Sequence, residues 1–322
     1  MEELKVRVER QRLSETPTSK FILGQFIESG FGRQVSGMWG EMLFNRSFID
    51  VPPYNGMWVR LRREYYNEHA PFWHSGYEEC NWELLDEHSS QCRTRGTDSF
   101  KGLDSLLVSY DGKVAAGGIR QRGLYFKAGV LYDFSLFGGF AGDKRSASLP
   151  GFEPVEPNAL ASKEVRILLR EEANPAHILF SHAFPFTCLQ QKFEAEILLP
   201  TYTGRAVVEL SFEWEGGIVL SWASLMPRDT RRGWNRDVVK LLKAVGVPIL
   251  RFPGGCFTSF FDWRGSVGPR SERGAMEDHV WRTLEENDVG IDEFLDLCHE
   301  VRCEPQLCIN MMTSTPFKAA EL

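Results

Sequence analysis

The stretch that decides the fold class occupies residues 248–256 and reads Pro-Ile-Leu-Arg-Phe-Pro-Gly-Gly-Cys. Its apolar start predicts a buried strand that ends near Arg251, because Pro253 cannot extend a hydrogen-bonded ladder and the two glycines permit a sharp turn. A charged side chain at the carboxyl end of a parallel strand, beside a glycine loop, is typical of the ligand-binding edge of an α/β barrel. We therefore expect Arg251 to face a ligand.

The segments around this stretch alternate between helical and extended patterns. Residues 234–245 and 291–301 predict amphipathic helices, and residues 21–28 and 304–310 predict further strands. Alternation at this spacing is typical of parallel βα units, whose strands present their carboxyl ends at one common edge. The predicted strands all end in a polar residue, and we expect these residues to lie together: Glu28, Arg251 and Asn310.

The first of these helices has a well-marked apolar side. Its residues Val238, Leu241, Leu242 and Val245 recur at helical spacing, and we expect this face to be buried. Gly246 follows at the position where a helix commonly ends in the left-handed conformation. The sequence therefore predicts both the end of the helix and the side that packs.

The middle of the chain has a different pattern, with short alternating apolar runs separated by turn residues. Many short strands with glycine and proline turns favour an antiparallel β-sandwich or jelly roll. Strands are predicted at 102–108, 131–137, 164–169, 190–198, 206–214 and 217–222. We therefore divide the chain into a first barrel strand in residues 1–50, an inserted sandwich in residues 51–223, and an incomplete continuation of the barrel in residues 224–322.

Composition and charge narrow the class of protein. The chain has 322 residues, of which 43% are hydrophobic and 25% charged, and its net charge of −7 argues against non-specific binding to nucleic acid or to an anionic membrane. Residues 1–20 lack the apolar core of a secretory signal. Seven cysteines without zinc-binding spacing then predict reduced thiols in a cytoplasm. We expect no cofactor and no metal, since His177 and His182 have no ligand partner at suitable spacing.

Seven segments of the chain resemble, in the same order, the start of glycoside hydrolase family 51, the α-L-arabinofuranosidases. These segments are residues 24–28, 39–48, 224–227, 250–256, 262–264, 268–270 and 292–295. The resemblance implies a fold of class α/β plus β. In this fold a (β/α)8 TIM barrel is interrupted after its first strand by an antiparallel β-sandwich, a jelly roll of carbohydrate-binding type.

The resemblance also implies an activity, which is retaining hydrolysis of terminal, non-reducing α-L-arabinofuranosyl groups. The expected partner is an arabinofuranose-containing oligosaccharide or polysaccharide such as arabinan or arabinoxylan. Two alternatives stay open, a relative that acts on β-glucans and a non-catalytic carbohydrate-binding protein. Whether the parent enzyme is a homo-oligomer is left open too.

Four residues are assigned to the substrate by the resemblance: Glu28, Arg251, Cys256 and Asn310. Glu28 would accept hydrogen bonds from sugar hydroxyls, and Arg251 would donate to the sugar or keep a catalytic carboxylate ionised. The Cys256 thiol would be a weak hydrogen-bonding partner. Two purely structural roles compete with these, a Glu28–Arg251 ion pair that joins two strands and a turn-forming Asn310.

The catalytic carboxylates themselves are not expected in this chain. Retaining glycosidases use two carboxyl groups about 5–5.5 Å apart, which in the family are glutamates at the ends of later barrel strands, the acid/base following an asparagine. The pair Asn67-Glu68 falls in the predicted sandwich and indicates a surface turn. We therefore expect both catalytic glutamates beyond Leu322 and regard the chain as a truncated part of the enzyme, inactive alone.

The long loop after Arg251 contains further candidate residues, namely Arg273, His279 and Trp281. They either line the rim of the site or pack within the loop. Three parallel strands also leave two open sheet edges, whereas a closed barrel needs ~8 strands. We expect the barrel part not to fold without the remaining strands.

Overall fold

Parallel and antiparallel strands lie in separate sheets of this protein. The computed structural model describes residues 15–29, 34–48, 82–95, 105–141, 162–188, 190–278, 280–281 and 283–322. Within these residues, segments near the two ends of the chain form a three-stranded parallel sheet, and the middle forms two five-stranded antiparallel sheets. The protein is therefore rich in sheet and has few helices.

The bounds of the elements are as follows. The strands are β1 (Gln25–Phe26), β2 (Trp82–Leu84), β3 (Ser90–Arg95), β4 (Ser105–Tyr110), β5 (Gly117–Phe126), β6 (Leu131–Ala141), β7 (Lys163–Glu171), β8 (Ile178–Phe186), β9 (Gln191–Leu198), β10 (Gly204–Phe212), β11 (Gly216–Pro227), β12 (Ile249–Phe252), β13 (Met276–Asp278), β14 (Thr283–Glu285) and β15 (Glu304–Leu307). The helices are α1 (Gln34–Met38), α2 (Arg236–Val245), α3 (Ile291–Val301) and α4 (Pro316–Ala320).

The parallel sheet has the strand order β1-β12-β15. Phe26 is paired with Arg251, which is paired in turn with Gln306. Leu250 and Phe252 are 1% exposed and lie in a core with helix α3, where the rings of Phe252 and Phe294 are 5.4 Å apart. Because side chains alternate across a strand, Arg251 lies on the opposite face. The predicted parallel alternation of helix and strand is confirmed.

Helix α2 begins and ends as its sequence predicts, but its apolar side is less buried than expected. The side chain of Asn235 accepts a hydrogen bond from the Asp237 amide, and Gly246 ends the helix with φ +69°. Val239 is 2% exposed, whereas Leu241 and Val245 are 66% and 74% exposed. The expectation of a fully buried face is wrong, because no described element covers its outer half.

The strand predicted over residues 21–28 is mostly absent. The hydroxyl of Ser19 accepts a hydrogen bond from the Phe21 amide and starts a 3₁₀ helix over Lys20–Leu23. Only Gln25–Phe26 pairs with β12. A local side-chain to backbone hydrogen bond has therefore competed successfully with the strand at its amino end.

The antiparallel sheets have the strand orders β2-β5-β10-β7-β8 and β3-β4-β11-β6-β9, and we call them the sheet pair. They share one hydrophobic core, to which Ile119 and Leu210 contribute from one sheet and Leu136 and Leu220 from the other. The predicted antiparallel architecture of this region is confirmed. The strands that the sequence patterns missed are β2, β3, β5 and β8.

The sheet pair extends beyond residues 51–223. Strand β11 continues to Pro227, so the predicted boundary at residue 223 falls inside it. Leu43 and Phe48, from the segment assigned to the first barrel strand, belong to the core of the sheet pair. The aromatic rings of Phe48 and Trp82 are 5.4 Å apart. Asn67, Glu68 and His279 lie outside the described residues.

Candidate functional site

The carboxyl ends of β1 and β12 lie side by side and continue their hydrogen bonding past the strands. The Ile27 amide donates to the Arg251 carbonyl at 3.0 Å, and the Gly254 amide donates to the Ile27 carbonyl at 2.7 Å. The segments that follow β1 and β12 therefore remain hydrogen-bonded to each other up to Glu28 and the glycine pair. The structure thus brings Glu28 and the loop after Arg251 to one place, as the sequence predicts.

The carboxylate of Glu28 is held by the loop that follows β12. It is 4% exposed, and its Oε1 accepts hydrogen bonds from Trp281 Nε1 at 2.7 Å and from the Phe257 amide at 3.4 Å. Trp281 was a candidate rim residue from its place in the loop, but its bond to Glu28 had no sequence signal. The carboxylate is thereby fixed in one orientation.

The two glycines create the space that this carboxylate occupies. Gly255 has φ +55°, and a Cβ at that position would lie 1.9 Å from Glu28 Oε2. A Cβ at Gly254 would lie 2.4 Å from the ring of Phe26. Glycine is therefore required at Gly255 for both conformation and space, and at Gly254 for space.

Arg251 presents its guanidinium on the same face of the sheet as Phe26. The centre of the guanidinium lies 4.9 Å from the centroid of the Phe26 ring, a cation–π contact. Its Nε is buried and has no hydrogen-bond partner in the described part of the chain. Among the described residues it makes no ion pair with Glu28, so the geometry does not support the purely structural role for these two residues.

The other two candidate residues, Cys256 and Asn310, differ in whether their polar atoms are already engaged by the protein. Cys256 is exposed, in the 3₁₀ helix Gly255–Ser259. The amide of Asn310 donates to the Phe261 carbonyl and to Thr313 Oγ1, and its oxygen accepts from the amides of Met312 and Thr313. Three of these bonds lie within its own loop, and the fourth joins that loop to Phe261 in the loop after β12. The geometry therefore favours the turn-forming role of Asn310.

Arg273 is a structural residue of the long loop. It is 5% exposed and forms two hydrogen bonds to the Glu293 carboxylate, at 2.7 and 3.1 Å, while also donating to the carbonyl of Gly268. Glu293 in turn accepts a hydrogen bond from the Gly290 amide at the start of α3. The loop is thus fastened to the helix, and the guanidinium of Arg273 points away from solvent.

A second buried carboxyl group contacts Ser29, the residue that follows Glu28. Glu285, at the end of β14, is 8% exposed and accepts hydrogen bonds from the Asn287 amide and from the Ser29 hydroxyl. Burial raises the pKa of Glu285 to about 7, with smaller contributions of the same sign from Asp288 and Glu286. No sequence pattern indicated this group, since it is adjacent to the site only in the fold.

The segment 39–48, which contributes to the family resemblance, joins the two parts of the structure. Glu41 accepts hydrogen bonds from Ser224 Oγ at 2.5 Å and from the Leu225 amide at 2.8 Å, both in β11. Arg46 is 0% exposed and forms an ion pair with Asp288 at 2.5 Å. These contacts pack the segment against β11 and against Asp288, and we assign this segment no contact with substrate.

The fold and the site together define a mixed, sheet-rich protein with a carboxylate, a guanidinium and an indole at the carboxyl edge of a parallel sheet. Residues 241–320 match the family described as Alpha-L-arabinofuranosidase 1 domain. In the described part of the chain, no helix is long and apolar enough to cross a membrane.

Curated relatives agree with the family match. The chain is 43% identical over 89 residues to Alpha-L-arabinofuranosidase C of Emericella nidulans, covering 28% of this chain and 18% of that protein. It is 39% identical over 85 residues to the Intracellular exo-alpha-(1->5)-L-arabinofuranosidase of Halalkalibacterium halodurans, covering 26% of this chain and 17% of that protein. The chain is therefore α-L-arabinofuranosidase-like over this part, and the match spans less than a fifth of the length of these relatives.

A solved structure supports the fold over most of the chain. An arabinose-bound GH51 α-L-arabinofuranosidase is similar with a TM-score of 0.65 and 18% sequence identity, covering 92% of this chain and 46% of that one. At this identity the likeness concerns the fold alone. It includes both the parallel sheet and the sheet pair, since 92% of the chain is covered.

Proposed function

We propose that this chain forms the part of a retaining α-L-arabinofuranosidase that binds the arabinofuranosyl group at the non-reducing end of arabinan or arabinoxylan. The observation that carries the proposal is the fixed Glu28 carboxylate beside Arg251 at the carboxyl edge of the parallel sheet. Support comes from the family match, which includes Arg251. A relative that acts on β-glucans would need a site shaped for a pyranose, and no observation favours it.

The proposed architecture is a partial (β/α)8 barrel interrupted by a jelly roll. The parallel order β1-β12-β15, with α2 before β12 and α3 before β15, is the order of successive βα units. The sheet pair lies in the chain between β1 and β12. We start from a jelly roll at residues 51–223 and a barrel in residues 1–50 and 224–322, and we reassign residues 43–48 and 224–227 from the barrel to the jelly roll.

Each residue of the site then has a distinct role. Glu28, whose Oε1 is held by Trp281 and by the Phe257 amide, accepts hydrogen bonds from sugar hydroxyls. Arg251 donates from its guanidinium, whose Nε has no hydrogen-bond partner among the described residues, and stacks on Phe26. The exposed Cys256 lies beside the ring of the sugar as a weak partner. Neither Glu28 nor Arg251 is a nucleophile in this proposal, and the two catalytic glutamates are not residues of this chain.

The chain should therefore bind an arabinofuranoside and not hydrolyse it. The place of action that we propose is the cytoplasm, as the word intracellular in the name of the Halalkalibacterium halodurans relative suggests for that protein. The proposed partner is the glycan itself, with no nucleic acid and no membrane.

Titration of the full chain with methyl α-L-arabinofuranoside, followed by tryptophan fluorescence and calorimetry, tests the proposal. Binding should be seen with the parent chain and be lost in Glu28→Gln. Glu304→Gln is the matched control, because Glu304 is exposed at the other end of the same sheet. Binding that survives in Glu28→Gln would move the site elsewhere and favour a carbohydrate-binding sheet pair. No binding by a folded parent chain would contradict the proposal.

A further inference from the structure

The end of helix α3 places two cysteines opposite each other. Arg302 is in the left-handed conformation with φ +63°, its amide bonds to the His299 carbonyl at 3.3 Å, and the Cys303 amide bonds to the Cys298 carbonyl at 3.1 Å. This pair of hydrogen bonds is a Schellman motif, which brings the side chains of its first and last residues into contact. Here those two residues are Cys298 and Cys303.

The two thiols differ in exposure. Cys298 is 3% exposed in the core beneath α3, whereas Cys303 is half-buried at the surface, and neither is in a disulfide. The Cys298 thiol forms a hydrogen bond with the Cys303 sulfur, which lowers the pKa of Cys303 and raises that of Cys298. An accessible thiol of lowered pKa beside a protected one is the arrangement in which thiol exchange is selective.

We propose that Cys303 is a site of thiol modification by low-molecular-weight disulfides and that Cys298 resolves the adduct to an intrachain disulfide. The Cys303 thiolate attacks one sulfur of the reagent, forms a mixed disulfide and releases one thiolate. The Cys298 thiol then attacks the Cys303 sulfur, forms the Cys298–Cys303 bond and transfers its proton to the second sulfur of the reagent, which leaves as a thiol. Both cysteines are oxidised, and the reagent is reduced to two thiols.

The short loop between the cysteines favours this bond over the alternatives. The hydrogen bond from the Cys303 amide to the Cys298 carbonyl holds the backbones of the two cysteines close together. A disulfide needs such proximity, with a Cα separation of about 4.4–6.8 Å. Cys92 is a contrasting case, because burial raises the pKa of its thiol to about 12, whereas the first attack on the reagent needs an accessible thiolate such as that of Cys303. The reaction should therefore leave Cys92 unmodified.

The crosslink would act on the strands that carry the candidate site. Cys303 directly precedes β15, and the Glu304 amide donates to the Pro248 carbonyl at 3.0 Å just before β12. A bond between Cys298 and Cys303 fastens the end of α3 to the start of this strand pair. Oxidation should therefore lower the exchange of the Cys303 and Glu304 amides with solvent deuterium.

Peptide mapping of the folded full chain tests the proposal, because trypsin cuts after Arg302, between the two cysteines. The chain is treated with oxidised glutathione, its remaining thiols are alkylated, and it is digested without reduction. We expect peptides 283–302 and 303–318 to appear joined, lighter than their sum by two hydrogen atoms, and to separate on reduction. Cys298→Ser should instead accumulate glutathione on Cys303.

Cys308→Ser is the matched control, since Cys308 lies in the same tryptic peptide as Cys303 and must not be needed for the crosslink. Circular dichroism checks that each variant is folded. The proposal is overturned by any of three results with folded protein. These are alkylation of both cysteines after treatment, a joined peptide that disappears in Cys308→Ser, and equal glutathione labelling of Cys303 and Cys256 in Cys298→Ser.

Discussion

Trp281 Nε1 lies 2.7 Å from Glu28 Oε1, although 253 residues of sequence separate the two. The indole reaches the carboxylate from the loop after β13, which is one of two segments in the described part of the chain that donate a hydrogen bond to Glu28. The other is the glycine loop after Arg251. The orientation of the Glu28 carboxylate therefore depends on a tryptophan hydrogen bond.

Removing this hydrogen bond should weaken sugar binding more than it weakens the fold. Trp281→Phe retains an aromatic ring and loses the donor, so we expect affinity for methyl α-L-arabinofuranoside to fall about 5–30-fold, or ~1–2 kcal/mol. Calorimetric titration measures the change. Trp263→Phe is the matched control, because Trp263 Nε1 donates to the Lys318 carbonyl away from Glu28. Equal losses in the two variants would contradict a specific role for Trp281.

Adding one methyl group to the glycine loop should disturb the site. Gly255→Ala combines an unfavourable backbone conformation with a direct overlap on the Glu28 carboxylate, so we expect a loss of stability of about 2–4 kcal/mol and loss of sugar binding. Gly129→Ala has a similar φ of +72° with no atom near the added carbon. It should cost only ~1 kcal/mol and leave binding unchanged. Urea unfolding measures the stability of both variants, and sugar titration measures their binding. Equal losses in the two variants would contradict the prediction.

The buried arginine between the two parts of the structure should matter far more to stability than an exposed one. Arg46→Ala removes the buried cation that faces the Asp288 and Glu286 carboxyl groups and leaves Asp288 with Arg270 alone, so we expect a loss of about 3–5 kcal/mol in urea unfolding. Arg228→Ala removes contacts to Asp133 and Glu196 that are about half exposed, and should cost ~0–1 kcal/mol. Similar values for the two variants would refute the assigned role of Arg46.

Stability should decrease as the pH rises from about 5 to about 8, in part because of Glu285. Its pKa is raised by burial to about 7 from an ordinary value of 4.5, so the folded state holds the proton more tightly than the unfolded state. The stabilising contribution is fully present below the ordinary value and is lost as the pH rises through about 7.

Glu285→Gln should flatten this pH dependence by roughly 1–3 kcal/mol over the same range, as measured by urea unfolding at several pH values. A smaller slope of the same sign should remain, because burial raises the pKa of Glu41 and of Glu286 too. If the free energy of unfolding of Glu285→Gln changes with pH as steeply as that of the parent chain, Glu285 does not titrate between about pH 5 and 8.

Local sequence signals predicted the elements whose ends are set by capping residues or whose side chains alternate regularly. Asn235 and Gly246 delimit helix α2, and alternation of apolar residues marks the central strands of the sheet pair. The same reasoning failed at residues 21–28, where one serine hydrogen bond replaces the start of a strand. It also missed β5, whose glycines at 117, 118 and 123 obscure the alternation of its side chains.

The site was predictable only in part, for a similar reason. Glu28 and Arg251 end apolar runs, so their common edge follows from the parallel arrangement of the strands. The contacts of Glu28 with Trp281 and of Ser29 with Glu285 join distant segments and leave no periodic signal. Burial of Arg46 with Asp288 is likewise a property of packing, and a sequence pattern does not encode it.

The segment 35–48 places Val35 and Trp39 in the core of the parallel sheet and Leu43 and Phe48 in the core of the sheet pair. The carbonyl of Asn45 accepts the indole hydrogen bond of the buried Trp82. Any attempt to express the sheet pair on its own, starting at residue 51, would therefore leave a hole in its interior. The smallest autonomous piece has to begin upstream of Leu43 and end no earlier than Pro227.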